Sequence, residues 1–475
     1  MKAYGFYGYS NTRLKVRRSL LFDQEFFARL LKANDTNKII AALAETNYRR
    51  DIERGLVKHP GMIGVEEGLK LHLINTYEEV KLFIRDNEQA QNLVGLLLAR
   101  FDLHNLKTIM RGFHSNTSKE EIAEDLIPAG ELDEVLLRDL TKQLNLKACI
   151  DHLVMFKVPY ARPLLQNYAS YNKTGSLANL ELELDKFYYD YILGRTGGLS
   201  RALSKNIRIV RDLVQRDIDM TNIMTAFRLN EEVVSEVEKA VAEMKEKEES
   251  ASTEAMADKE TEPVVEGKAS KLAFVKNIPA LIKKIPGVVK KTPGAVKKIP
   301  ASVKKVPSSL RKVPTKIGLI GGKVLALIRR KPLEIKEIEK KAQEKGLGGK
   351  QLQLLNSFFI EGGKEIRREQ FVKLSRLSNA EKIVEGLKRT SYYKPLKEGM
   401  KNHLITNSLA IFERKIEDFN IKKTVGLFRA DPLSVGIIVA YMWAKFNEVT
   451  NLRIILRGKE VQMPEKDIKE ALILV

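Results

Sequence analysis

The stretch DLHNLKTIMR at residues 102–111 recurs without a gap as DMTNIMTAFR at 219–228 and as EVTNLRIILR at 448–457. Each copy has an acid and, three residues later, an Asn. An aliphatic residue directly follows the Asn, and an Arg lies six residues after the Asn. Apolar residues around these stretches recur at three- and four-residue spacing, which is typical of an amphipathic helix. A repeat of this kind in a long chain indicates several copies of one helical unit.

The repeat extends upstream of the motif. Tyr48, Tyr160 and Tyr392 precede the three motif asparagines by 57, 62 and 59 residues. The first two tyrosines are 112 residues apart and the last two are 232 apart, so the second unit contains about 120 extra residues. We therefore predict an all-α protein of three pseudo-repeated helical lobes, with an insert in the second lobe.

The insert can be located from the glycines that follow each motif. Gly130, in IPAG at 127–130, comes 19 residues after the first motif arginine, whereas Gly363, in IEGG at 360–363, comes 135 residues after the second. The predicted segments are lobe 1 at residues 1–132, the first part of lobe 2 at 133–230, the insert at 231–347, the return of lobe 2 at 348–366, and lobe 3 at 367–475.

Composition favours a cytoplasmic protein without disulfides. The 475 residues include a single cysteine, Cys149, and the sequence does not start with a secretion signal. The longest apolar stretch, around Val435 to Ala444, is shorter than the ~18 residues that a membrane-spanning helix needs. If the protein acts at a membrane, we expect it to be peripheral.

Net charge is concentrated in the insert. Residues 268–331 contain 18 Lys and Arg and no acid, which leaves only +3 of the net +21 for the rest of the chain. Prolines recur every seven residues from Pro279 to Pro314, and pairs of lysines lie between them. The candidate membrane-contact residues are Lys283, Lys284, Lys290, Lys291, Lys297, Lys298, Lys304 and Lys305.

Two interpretations of the insert remain open. It is either a largely disordered basic linker or a partly helical segment, with charged helical arms, that binds an anionic membrane surface. The regular prolines argue against a stable free helix, since each removes a backbone hydrogen bond. Nucleic acid is disfavoured as a partner, because Phe274 is the only aromatic residue in the basic segment that could stack on bases.

The motif residues themselves allow two roles, ligand binding repeated three times or the joining of helices. The acid and the Asn share one helix face, but the Arg six residues later points roughly 240° away on a helix of ~3.6 residues per turn. This divergence favours the structural role. The residues concerned are Asp102, Asn105, Arg111, Asp219, Asn222, Arg228, Glu448, Asn451 and Arg457.

No catalytic, cofactor or metal site is predicted. The sequence contains no phosphate-binding GxxxxGK[S/T] motif, and the nearest stretch, at residues 318–323, lacks its spacing. The six histidines form no HExxH pattern, and the single cysteine forms no CxxC pattern.

Several motifs together resemble one known family. They are the Tyr-rich start followed by Arg13, Arg17 and Leu20-Leu21, the FDLHNLKTIMR stretch at 101–111, Leu184-Asp185 with Tyr188-Tyr189, and the EVTNLR stretch at 448–453 with Arg457-Gly458-Lys459. Over residues 1–230 and 348–475 the chain resembles the C subunit of archaeal-type and vacuolar-type rotary ATPases, which is the homologue of the d subunit of the eukaryotic enzymes. The insert has no counterpart in this resemblance.

The resemblance implies a funnel of three helical lobes without a catalytic site of its own. Its cavity would take the foot of the central stalk, and its other face would rest on the proteolipid ring at the cytoplasmic side of the membrane, coupling the ATPase to proton or sodium transport. The nine motif residues would then form lobes rather than perform chemistry. The alternative is a helical-repeat scaffold that binds anionic membrane or nucleic acid through its basic insert.

Overall fold

Helices account for all the regular secondary structure in the part of the chain that the structure describes. The structure is a computed structural model, and it describes residues 5–33, 35–197, 205–230, 355–377 and 379–475. No strand occurs within these ranges. The prediction of an all-α fold is confirmed.

The first eleven helices precede residue 198. They are α1 (Gly5–Arg18), α2 (Gln24–Lys32), α3 (Thr36–Ala44), α4 (Arg49–Lys58), α5 (Met62–Phe83), α6 (Glu88–Ser115), α7 (Lys119–Glu124), α8 (Glu134–Thr141), α9 (Leu146–Met155), α10 (Ala161–Thr174) and α11 (Ala178–Gly197).

The remaining helices begin with α12, which covers the described residues 205–230. They continue as α13 (Arg368–Leu374), α14 (Ala380–Gly386), α15 (Tyr393–Thr406), α16 (Ala410–Val425), a 3-10 helix (Gly426–Arg429), α17 (Gly436–Glu460) and α18 (Glu465–Ala471), with one further helical turn at 355–358.

The three motifs lie on the three long helices α6, α12 and α17. Each long helix follows a helical hairpin whose first member begins directly after a repeated tyrosine: α4 with α5, α10 with α11, and α15 with α16. These hairpins are packed pairs, and in α4 and α5 the glycines Gly55, Gly64 and Gly68 bring the two backbones so close that a Cβ at any of them would overlap main-chain atoms.

Helix α6 shows why the sequence forms these long helices. Asn87 caps its first turn by accepting a hydrogen bond from the backbone N–H of Ala90, and Asn116 ends it in a left-handed conformation with φ of 53°. The apolar residues Val94, Leu97, Leu98 and Phe101, which recur at helical spacing, are buried. Burial of these residues fixes which side of the helix faces the core, and therefore where the motif side chains point.

The two ends of the described chain pack together. Helix α1 packs on α17 and on α5, and α2 packs on α18. The Asn11 side chain donates hydrogen bonds to the carbonyl oxygens of Pro432 (2.6 Å) and Ser434 (2.9 Å), just before α17 begins. The segments predicted as lobes 1 and 3 are thus in direct contact.

Ser118 caps α7, because its hydroxyl accepts a hydrogen bond from the backbone N–H of Glu121 at 3.2 Å. The insert at 231–347, with its charged arms, its proline repeat and the eight lysines named above, lies outside the described residues.

Candidate functional site

The acid and the Asn of the first motif bind one loop through its backbone. Asn105 exchanges two hydrogen bonds of 2.8 Å with Ile127, donating to its carbonyl oxygen and accepting from its N–H. The carboxylate of Asp102 accepts hydrogen bonds of 2.9 Å from the N–H groups of Glu131 and Leu132. Both side chains are fully buried, so the loop that leads into lobe 2 is fixed to α6.

The second motif repeats this arrangement. Asn222 donates to the carbonyl oxygen of Ile360 (2.8 Å) and accepts from its N–H (3.0 Å). Asp219 accepts from the N–H groups of Glu365 (2.9 Å) and Ile366 (3.0 Å), directly before lobe 3. The same two residue types therefore anchor the same kind of loop, although the insert separates the motif from this loop in sequence.

The third motif binds both ends of the chain. Asn451 donates to the carbonyl oxygen of Ile473 at 2.8 Å and accepts from its N–H at 3.1 Å. Glu448 accepts from the N–H of Phe22 (2.5 Å) and from the hydroxyl of Tyr48 (2.6 Å), both in lobe 1. Asp219 of the second motif likewise accepts from the hydroxyl of its repeated tyrosine, Tyr392, at 3.1 Å. The longer side chain of Glu thus spans from lobe 3 to lobe 1.

Glycine is required where the loops pass the motif acids. A Cβ placed on Gly130 would overlap the Asp102 carboxylate, and a Cβ on Gly363 would overlap that of Asp219. Both glycines belong to the loops that the sequence places after the first and second motifs. Their positions are thus set by close approach of the backbone to a buried carboxylate.

Each motif arginine binds a glutamate of the following lobe. Arg111 donates two hydrogen bonds to Glu181 (2.7 and 2.9 Å), and Arg228 donates to Glu413 at 3.4 Å. Arg457 binds both carboxylate oxygens of Glu66, with 2.6 Å between its Nη2 and Oε2. By the predicted bounds, these pairs join lobe 1 to lobe 2, lobe 2 to lobe 3, and lobe 3 to lobe 1.

We call these three contact regions the first junction, the second junction and the seam. The first joins lobes 1 and 2, the second joins lobes 2 and 3, and the seam joins lobes 3 and 1. The acid and the Asn of each motif act on neighbouring groups, whereas the Arg acts elsewhere. The nine predicted residues therefore do not converge on one pocket.

Sequence reasoning did not identify the glutamates that bind the motif arginines. Glu66, Glu181 and Glu413 follow the repeated tyrosines by 18, 21 and 21 residues, on the second helices of the hairpins α4–α5 and α10–α11 and on α16. Their near-constant spacing is a signal that an alignment of the three units could have used.

Burial changes the ionisation of the motif acids. It raises the pKa of Asp102 to about 7 and that of Asp219 to about 6, against the opposing effect of the backbone N–H donors. Burial likewise raises the pKa of Glu413 to about 7, although Arg228 favours its charged form. Ionisation of these carboxyl groups therefore costs more free energy in the folded protein than in water.

Two kinds of site are missing from the part of the chain that the structure describes. No group of three or more His, Cys, Asp or Glu side chains in these ranges is arranged to hold a metal ion. None of the described helices has the combination of length and apolarity that crossing a bilayer requires.

Comparison with known proteins identifies the family. The family described as ATP synthase (C/AC39) subunit matches residues 10–273 and 344–471. The chain belongs to this family. The first matched segment continues beyond residue 230, where the insert was predicted to start, and the unmatched residues 274–343 contain all six of the regularly spaced prolines.

Individual relatives carry consistent names. The chain is 25% identical over 469 residues to the C subunit of the A-type ATP synthase of Methanosarcina barkeri, covering 99% of this chain and 93% of that protein. It is 20% identical over 462 residues to the A-type C subunit of Haloquadratum walsbyi, covering 97% and 96%. It is 30% identical over 213 residues to the C subunit of the V-type ATP synthase of Deinococcus radiodurans, covering 44% and 60%. The resemblance inferred from the motifs is confirmed.

Proposed function

We propose that this chain is a non-catalytic central-stalk subunit of an A-type or V-type rotary ATP synthase. In this role it couples the central stalk to the membrane proteolipid ring during proton or sodium transport, as a peripheral protein on the cytoplasmic face of the membrane. The observation that carries the proposal is the family match over most of the chain, together with relatives named as the C subunit of such synthases.

The junctions support a mechanical role. A subunit that transmits torque must resist deformation between its lobes, and buried hydrogen bonds to backbone groups resist displacement because breaking them leaves buried polar atoms unsatisfied. The acid and Asn of the first and second motifs each hold one loop through such bonds, and the Arg adds an ion pair to the next lobe. We propose that the nine motif residues join lobes and do not perform chemistry.

Co-purification tests the proposed partners. A tagged full-length chain, isolated from gently solubilised membranes of its own cells, should bring down the proteolipid and central-stalk subunits. A matched variant with Asn105→Ala and Asn222→Ala, in which two anchored loops are released, should bring down less of both, while the exposed substitution Asn402→Ala should not change recovery. Recovery of a folded chain without either partner would refute the coupling role.

A second proposal concerns the basic segment at residues 268–331. Its 18 cations, without a single acid, favour attraction to an anionic lipid surface of ~1 kcal/mol per basic residue near the surface. We propose that the lysines from Lys283 to Lys305 add a membrane contact to the coupling subunit. The scaffold alternative, in which the segment serves a protein outside the synthase, predicts vesicle binding without co-purification of the ring or stalk.

A further inference from the structure

The seam differs from the other two junctions in its chain connection. In the first junction, four residues link Ile127, which Asn105 holds, to Leu132, which Asp102 holds. In the second, a similarly short loop runs from Ile360 to Ile366. At the seam the corresponding residues are Ile473 and Phe22, which no short loop connects. Side-chain contacts and packing alone hold this junction.

The seam is also more polar around its tyrosine. Each repeated tyrosine packs against an aromatic ring on the second helix of its hairpin, and at this position the ring is a phenylalanine in lobes 2 and 3 but a histidine in lobe 1. The pairs, with the distances between ring centroids, are Tyr160 and Phe187 (5.5 Å), Tyr392 and Phe419 (5.8 Å), and Tyr48 and His72 (3.8 Å).

A second polar residue accompanies this histidine. The third residue after the tyrosine is proline in lobes 2 and 3, at Pro163 and Pro395, but is Asp51 in lobe 1. Asp51 is buried, and its carboxylate lies 2.8 Å from Nδ1 of His72 and accepts a hydrogen bond of 2.8 Å from Asn75. An apolar Pro and Phe combination has thus been replaced by a hydrogen-bonded Asp and His.

Helix α17 adds charged groups from the other side. Lys445 is 1% exposed, and its ammonium donates a hydrogen bond of 2.6 Å to Glu448, which also binds the Tyr48 hydroxyl. The residue at the position of Lys445 is Ala99 in the first motif helix and Arg216, which is also buried, in the second. Asp51 and His72 also line part of a surface cleft of about 580 Å³.

We propose that the body opens reversibly at the seam, with lobe 1 separating from α17 while the first and second junctions stay closed. Buried charged networks stabilise an interface less than apolar packing of similar volume, and water can replace their hydrogen bonds once they are exposed. At the other two junctions one short loop carries both anchored residues, so the acid and the Asn of the motif hold the same segment, although the insert separates that segment from α12 in sequence at the second junction. This inference concerns the body alone and does not depend on the proposed function.

Amide hydrogen exchange provides six matched reporters on the unmodified full-length chain. The N–H groups that bind the motif acids are those of Phe22 at the seam, and Leu132 and Ile366 elsewhere. The N–H groups that bind the motif asparagines are those of Ile473 at the seam, and Ile127 and Ile360 elsewhere. We expect both seam amides to exchange faster than their counterparts by at least about tenfold, as a sub-global opening requires.

A covalent link separates seam opening from simple fraying of the chain ends. In the variant Glu66→Cys with Arg457→Cys, a short bis-maleimide joins lobe 1 to α17, and the control variant Arg111→Cys with Glu181→Cys places the same link in the first junction. Cys149 is buried and its thiol pKa is raised to about 12, so it should not react.

The link at the seam should slow exchange at Phe22 to the rates of Leu132 and Ile366, and the control link should leave it unchanged. Equal exchange rates at all three junctions of the unmodified chain would overturn the proposal. It would also be overturned if Phe22 exchanged rapidly in both linked variants, since that result would assign the exchange to local fraying.

Discussion

Arg457 and Glu66 are 391 residues apart in sequence, and the two nitrogens of the arginine bind the two carboxylate oxygens of the glutamate. This pair joins the last motif helix to the first long hairpin. It is related to Arg111 with Glu181, which performs the same task between lobes 1 and 2. The contact that closes the three lobes is therefore a copy of the contact that joins consecutive ones.

A double-mutant cycle on Arg457→Ala and Glu66→Ala should give a coupling energy of about 1–2 kcal/mol in urea unfolding, because the paired contact is mostly shielded from solvent. The control is Arg138 with Glu134 on α8, whose side chains are 62% and 60% exposed. Its coupling should be below about 0.5 kcal/mol. Equal coupling energies for the two pairs would show that the contact at the seam stabilises the fold no more than an exposed ion pair does.

Substitution of the motif asparagine should be costly in every lobe. Asn105→Ala removes both hydrogen bonds to Ile127 and leaves its buried N–H and carbonyl unsatisfied, so we expect a loss of about 2–4 kcal/mol in the free energy of unfolding. Asn105→Asp should also destabilise, because a carboxylate cannot donate to the Ile127 carbonyl oxygen. Asn402→Ala on the exposed face of α15 is the control and should change stability by less than about 0.5 kcal/mol.

The loop glycines can be tested by adding a single methyl group. Gly130→Ala would place its Cβ against the buried Asp102 carboxylate and should cost about 2 kcal/mol or more, measured by thermal or urea unfolding. Gly194→Ala is the matched control, since Gly194 lies on α11 with no atom within 4 Å of an added Cβ. That change should stabilise by up to about 1 kcal/mol through helix propensity. A neutral Gly130→Ala would mean that the carboxylate can move away without losing its partners.

Helical spacing was sufficient to predict the all-helical fold class, because it is a local property of the sequence. The sequence repeat also identified Gly130 and Gly363 as landmarks before their role beside the motif carboxylates was known. The divergence of Arg111 from Asp102 followed from helix geometry alone, and the structure places their partners in different regions accordingly.

The partners themselves could not be predicted from a single copy of the motif. Arg457 binds a glutamate near the start of the chain, and Glu448 binds the backbone of Phe22, so both contacts depend on how distant helices pack. The sequence contains His72 and Asp51 in lobe 1 at the positions where lobes 2 and 3 have Phe and Pro. The importance of this difference appears only when the three units are compared at equivalent positions in the structure.

The raised pKa of Glu413 makes a prediction about pH. Its folded-state pKa of about 7 lies above the ordinary value of 4.5, so the folded state binds more protons between these values, and its contribution to stability is lost as pH rises through about 7. Glu413→Gln cannot ionise. We therefore expect the variant to gain about 1–3 kcal/mol relative to the parent between pH 5 and pH 8, measured by urea unfolding. Glu398→Gln, on the exposed face of α15, should show no such pH-dependent gain.

Deletion of residues 268–331 tests the proposed membrane contact. The described body makes its junctions without these residues, so its melting temperature should change little. Removal of 18 cations should weaken binding to vesicles rich in anionic lipid at low salt by at least about tenfold, measured by co-sedimentation.

A charge-only control tests whether lysines or apolar residues dominate this binding. Replacing the eight lysines from Lys283 to Lys305 by Gln keeps the prolines and aliphatic residues of the segment and removes nearly half of its charge. If attraction to the lipid surface is electrostatic, this variant should bind more weakly than the parent and more strongly than the deletion, because ten cations remain. Binding by the parent should also fall as salt rises, because the Debye length shrinks to ~10 Å at 0.1 M. Binding by the parent that is insensitive to salt, or equal on neutral vesicles, would contradict the electrostatic contact.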